Sequence, residues 1–115
     1  MIMTEHMEGK GQFHFMGTHP LELIADVNWN EDGRTGTVTG VGKMKMLKWL
    51  TYQFSDNASA EKLPNGDMHF ECGLKSQFGN GELACILDLT KDGDITGYCA
   101  IIKGVKLNFE AKRVI

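Results

Sequence analysis

Residues 82–97, E-L-A-C-I-L-D-L-T-K-D-G-D-I-T-G, repeat a pattern already present at residues 21–36, L-E-L-I-A-D-V-N-W-N-E-D-G-R-T-G. In both, apolar and polar residues alternate. An acidic residue and a glycine follow, and a second alternating run opens near Thr-Gly. Alternation is the period of a strand with one buried face. Asp-Gly between two such runs marks a β-hairpin, because glycine takes positive φ without steric cost. Two hairpins of this kind set the class as all-β and antiparallel.

The pattern extends in both directions. Residues 10–16 alternate, with Phe13 and Phe15 on one side. In residues 21–29, Leu21, Leu23, Ala25, Val27 and Trp29 share a face. Residues 34–42 return as a Thr-, Val- and Gly-rich strand. Residues 43–54 are read mainly as strand, although Met46, Leu47, Leu50 and Phe54 fit a helical stripe equally well. Residues 55–66 form a polar connection that ends in the turn Pro64-Asn65-Gly66. Met68, Phe70, Cys72 and Leu74 share the inner face of 67–75, and a glycine-bearing turn occupies 76–81. Strands 82–90, 94–102 and 105–113 follow, joined at Lys91-Asp92-Gly93 and Lys103-Gly104.

This amounts to about eight strands joined by short turns, an up-and-down meander with two raw edges unless it closes. A small closed or nearly closed barrel is expected, with a β-sandwich as the alternative. Residues 1–8 read as a flexible arm and 9–115 as a single barrel domain.

The repeated unit of alternating strand, acidic-Gly turn and Thr-Gly strand resembles the calycin-like barrels, the lipocalin-like and fatty-acid-binding-like proteins. The resemblance is best over residues 21–42 and 82–113. It implies a meander barrel with room for a small ligand. The chain carries neither a lipocalin Gly-x-Trp on its first strand nor an obvious Arg/Tyr carboxylate clamp, so the resemblance names no ligand.

Composition narrows the partners. The chain has 115 residues, with 12 basic and 15 acidic side chains and a net charge of −3. Nucleic acid wants a basic face, so it is not expected. No apolar run is long enough to span a bilayer, and no membrane partner is expected. Residues 1–10 lack the basic and apolar regions of a secretory signal. Cys72, Cys85 and Cys99 all fall on apolar strand faces. They are expected as free, buried thiols in a reducing compartment, which places the protein in the cytoplasm.

No motif carries a chemistry. Asp88-x-Thr90-x-Asp92-Gly93 opens like a calcium loop, but Cys99 stands where a bidentate Glu belongs. His6, His14, His19 and His69 show no metal-ligand spacing, and no serine sits in a nucleophile elbow. No catalytic residue, metal or cofactor is assigned. The large apolar side chains Phe13, Phe15, Trp29, Tyr52, Phe54, Met68, Phe70 and Phe109 are the candidate pocket, with Tyr52 or Trp49 orienting a guest near a mouth.

Strands 82–90 and 94–102 also carry apolar residues on their second faces: Ala84, Ile86, Tyr98, Ala100 and Ile102. An exposed apolar patch of this kind is a candidate homodimer interface. Three functions follow from these features. The first is non-enzymatic binding of a small apolar or amphipathic ligand. The second is an interaction module with a solid core. The third is an isomerase- or cyclase-like enzyme with an apolar pocket.

Overall fold

The computed structural model describes residues 3–76, 82–102 and 105–115. They form strands β1 (Met3–His14), β2 (Thr18–Trp29), β3 (Thr35–Lys45), β4 (Trp49–Phe54), β5 (Ser59–Lys62), β6 (Met68–Ser76), β7 (Glu82–Leu89), β8 (Asp94–Ile102) and β9 (Val105–Arg113). Every pairing is antiparallel, and β1 pairs with both β2 and β9. β2 pairs with β3, so the sheet closes on itself. β4 and β5 both lie between β3 and β6 and form one interrupted stave. The result is a closed barrel of eight strand positions with one extra strand segment. Closure leaves no long open edge.

Following directly paired residues around the wall gives His14, Asn108, Tyr98, Ile86, Glu71, Ser59, Thr37, Asn28 and Thr4. The path returns to β1 ten residues from its start. This stagger tilts the strands and is required for closure.

Alternation directs side chains as the sequence implies. Leu21, Val27, Trp29, Phe70, Leu74, Leu89, Ile95, Leu107, Phe109 and Ala111 are buried in one interior cluster. The hairpins at 30–34 and 90–93 turn on Gly33 and Gly93, both at positive φ. In the first, Asp32 accepts hydrogen bonds from the Arg34 and Thr35 backbone N–H groups and from the Thr35 hydroxyl. These bonds hold its carboxyl below the usual value.

Several expectations are corrected. Residues 3–8 are not a loose arm, because β1 pairs with β2 from Met3 onward. Residues 43–54 are mainly strand, as expected, the correction being the turn at 46–48, and no helix is present among the described residues. The polar connection 55–66 contains β5. The interruption between β4 and β5 is held by the Ser55 backbone N–H donating to the Gly73 carbonyl and by the Gly73 N–H donating to Ser55 Oγ. Of the turn expected at 76–81, Ser76 belongs to β6, and 77–81 lie outside the described residues, as does the turn expected at Lys103-Gly104. Among the described residues, no helix is long and apolar enough to cross a membrane.

The cysteines differ most from expectation. Cys85 and Cys99 face each other across β7 and β8 and are joined by a disulfide. The cytoplasmic expectation drew on three free thiols as well as on the absence of a secretory signal in residues 1–10, and the disulfide removes the first of these grounds. Cys72 lies opposite Cys85 on β6 and is the free cysteine. Burial pushes its thiol up to about 11. Unfolded without reductant, the chain should therefore take up one alkylating group, and three after reduction, as read by mass spectrometry. In the folded protein at neutral pH, alkylation of Cys72 should be slow, since the thiolate is the reactive form.

Candidate functional site

A cavity of about 70 Å³ lies inside the barrel, and every strand position contributes to its wall. Met7 projects from β1, Leu23 and Ala25 from β2, Val38 from β3 and Phe54 from β4. β6 supplies Phe70, Cys72 and Leu74, and β7 supplies Cys85, Leu87 and Leu89. Ile95 and Cys99 of β8, Phe109 and Arg113 of β9, and Glu8 and Gly9 of β1 complete it. The surface is apolar throughout. Ligand pockets for drug-sized molecules run to about 300 Å³ or more. This chamber admits a guest of a few heavy atoms, or one end of a longer chain.

The wall includes a row of sulfur. Cys72, Cys85 and Cys99 stand directly opposite one another on three adjacent strands. Sequence reading treated each cysteine singly. The signal for the pairing was present, because Cys85 and Cys99 lie equally far on either side of Asp92 at the turn.

Three of the expected pocket residues, Phe54, Phe70 and Phe109, line the cavity. Phe13 is only 1% exposed, pairs with Phe109 in register and stacks on His19 with centroids 5.0 Å apart. It lies outside the lining. Tyr52 and Met68 pack against the core without reaching the cavity. Phe15 and Trp49 are exposed and stand apart from it.

Trp29 is buried at the other end of the barrel. Its indole N–H donates to Glu5, which also accepts from Arg113. Lys62 Nζ lies 4.6 Å from the Trp29 ring centroid. The charged residues at the cavity lining are Glu8 and Arg113, which the sequence did not single out, and Trp49 is not among the lining residues. Glu5, the partner of Arg113, faces inward from the stretch that was read as an arm.

On the outer face, Ala84 lies opposite Ala100 and Ile86 opposite Tyr98. The two alanines are exposed, while Ile86 and Tyr98 are half-buried. Lys106 Nζ sits 4.4 Å over the Tyr98 ring. The side chain of Ile102 lies outside the described ones.

His6, His14 and His69 pair with carboxylates across the outer surface, whereas His19 meets the Phe15 carbonyl oxygen. His6 has Asp26 at 2.7 Å on Nδ1 and Glu8 at 2.8 Å on Nε2. His69 Nδ1 has Asp88 at 2.7 Å. The hydrogen bond with Glu8, then that with Asp26, raises the His6 pKa, and the hydrogen bond with Asp88 raises that of His69. Glu110 accepts from Gln12 and His14, and its pKa is lowered.

The pH dependence follows from these signs. Raised histidines contribute stability that is complete below their ordinary 6.5 and is lost as pH rises through the folded value. Lowered Asp32 and Glu110 contribute stability that is complete above 3.8 and 4.5 and is lost as pH falls through their folded values. Thermal unfolding should be latest between about pH 4.5 and 6.5. The decline above that window should flatten in His6→Gln/His69→Gln. The effect is small because the pairs are exposed. Among the described residues, no group of three ligands is placed to hold a metal ion.

Set against known protein families, curated proteins and solved structures, the chain matches none of them.

Proposed function

We propose that the protein binds a small apolar molecule inside its barrel, without catalysis. The observation that carries this reading is the chamber ringed by Leu23, Phe54, Phe70, Leu74, Leu87 and Phe109, with an apolar surface throughout. An apolar cavity of about 150 Å³ stays dry and takes up apolar guests such as benzene or xenon, and this chamber, at about 70 Å³, shares its chemistry at roughly half the size. Filling one restores contacts that the wall side chains otherwise lack. The volume favours a compact guest over a full fatty acid.

Benzene titrated into methyl-labelled protein should shift the resonances of Leu23, Leu74, Leu87 and Ile95 together, in a saturable way. Ala25→Leu, which fills the chamber, should abolish the shifts. Wall methyls that stay unmoved at saturating benzene would sink the reading.

A second reading is self-association through the outer face of β7 and β8. The direct opposition of Ile86 with Tyr98 and of Ala84 with Ala100 supports it, since a patch of this kind suits an isologous contact. Ile86→Glu should then shift a sedimenting dimer to monomer. A wild-type protein that sediments as a monomer removes this reading.

A further inference from the structure

We propose that the end of the barrel bearing the β1–β2 and β3–β4 turns docks on an anionic lipid surface. Strands that alternate up and down place these two turns at the same end. The tips are apolar and bare. Met16 is 91% exposed and Leu47 101%, while Phe15, Met46 and Trp49 beside them are also exposed. Solvated turns are ordinarily polar, and single exposed apolar residues need no explanation. Five on two adjoining tips form a cluster. Met16 also holds φ at 50°, a left-handed conformation that methionine adopts only at a cost.

Charge selects the partner. Residues 43–49, K-M-K-M-L-K-W, carry three lysines and no acid, and residues 14–19, H-F-M-G-T-H, carry no acid either. The ion pairs found among the described residues use other bases than Lys43, Lys45 and Lys48. The turns at the opposite end hold Glu31, Asp32, Asp67 and Asp92 against Arg34 and Lys91, while the acids beside the basic end are Glu22, opposite Lys43, and Glu110, which His14 contacts. A chain of net charge −3 is thus polarised along its barrel. Its basic, apolar-tipped end would turn toward negative headgroups.

Apolar tips that enter the headgroup boundary, an amphipathic Trp at that level and lysines reaching phosphates make up an interfacial anchor. The absence of a spanning apolar run excludes a transmembrane helix and leaves this kind of contact open. Docking does not depend on a guest in the cavity.

The test is flotation of the full chain with vesicles of equimolar phosphatidylserine and phosphatidylcholine, against vesicles of phosphatidylcholine alone. The wild type should float with the first and at least several-fold less with the second, and high salt should release it. Trp49 emission should move to the blue on binding. Trp49→Phe should lose that shift yet still float. Lys45→Gln should weaken binding roughly fivefold. Met16→Glu/Leu47→Glu, with both changes in solvent, should keep its circular dichroism and lose flotation by an order of magnitude or more.

Equal flotation on the two lipids, or unchanged flotation of the double glutamate variant, overturns the proposal. So does a wild type that floats with neither. If that non-floating wild type is a dimer that the double variant converts to monomer, the surface belongs to a second copy instead. Benzene shifts persisting in the double variant keep this outcome separate from the fate of the ligand reading.

Discussion

Phe13→Ala should lower the stability of the barrel by about 4 kcal/mol. Phe13 is among the largest fully buried side chains, lies beside Phe109 across the β1–β9 pairing and stacks on His19. Its removal loses the transfer free energy of a phenyl group. It also leaves a void that the neighbouring strands cannot collapse to fill, because both are tied into a closed sheet. Against a typical total of about 5–15 kcal/mol this is a large fraction. Thermal unfolding should drop on the order of 15 °C. Denaturant titration should show an earlier midpoint with an unchanged slope. A loss below about 1 kcal/mol would mean that Phe13 is not packed as described.

Gly11→Ala should cost about 3 kcal/mol for a different reason. A Cβ at Gly11 would collide with the Glu110 carbonyl oxygen and the Ala111 Cα, both of them backbone. No side chain can swing aside, so β1 and β9 must part where the barrel closes. By contrast, a Cβ at Gly42 meets only the Leu23 side chain at an ordinary contact distance. Gly42→Ala is therefore the control and should cost well under 1 kcal/mol more than an exposed strand Gly→Ala change. Equal losses in the two variants would contradict the tight seam.

The same seam shows why part of the fold was illegible. Strands β2, β6, β7, β8 and β9 carry their own apolar alternation, and Asp-Gly or Asn-Gly turns punctuate them, so the meander could be read, while alternation alone did not separate a closed barrel from a sandwich. The first half of β1 gives no such signal. Its inner positions are Glu5, Met7, Gly9 and Gly11, because Trp29, Ile95 and Ala111 from neighbouring strands already occupy the space. A strand that yields room to its neighbours looks polar when read alone. β5 fails for a similar reason, since Ala60 is its only buried apolar residue.

Candidate-site legibility divides along the same line. Phe54, Phe70 and Phe109 have the inward parity and line the cavity. Phe15 shares the parity of Phe13 but falls past the end of β1, where parity has no meaning. Trp49 has the opposite parity to Tyr52 and Phe54 and stands outside. Arg113 could not be found from spacing, because its approach to Glu5 depends on the stagger of a closed sheet.

The split between β4 and β5 sets where the wall gives way first. Among the described residues, β4 pairs with β6 at Tyr52–Ser76, Gln53–Lys75 and Phe54–Leu74, β5 pairs with β3 at residues 35–37, and 55–58 interrupt the stave between them. Local opening takes the least free energy where a ladder is interrupted. Amide protons flanking residues 55–58 should therefore exchange with solvent ahead of those in the long β1–β2 ladder. Phe54, at the lip of that gap, is also a wall residue of the chamber. A molecule too large to diffuse through a sealed cylinder would have its doorway there, on the timescale of breathing rather than of unfolding.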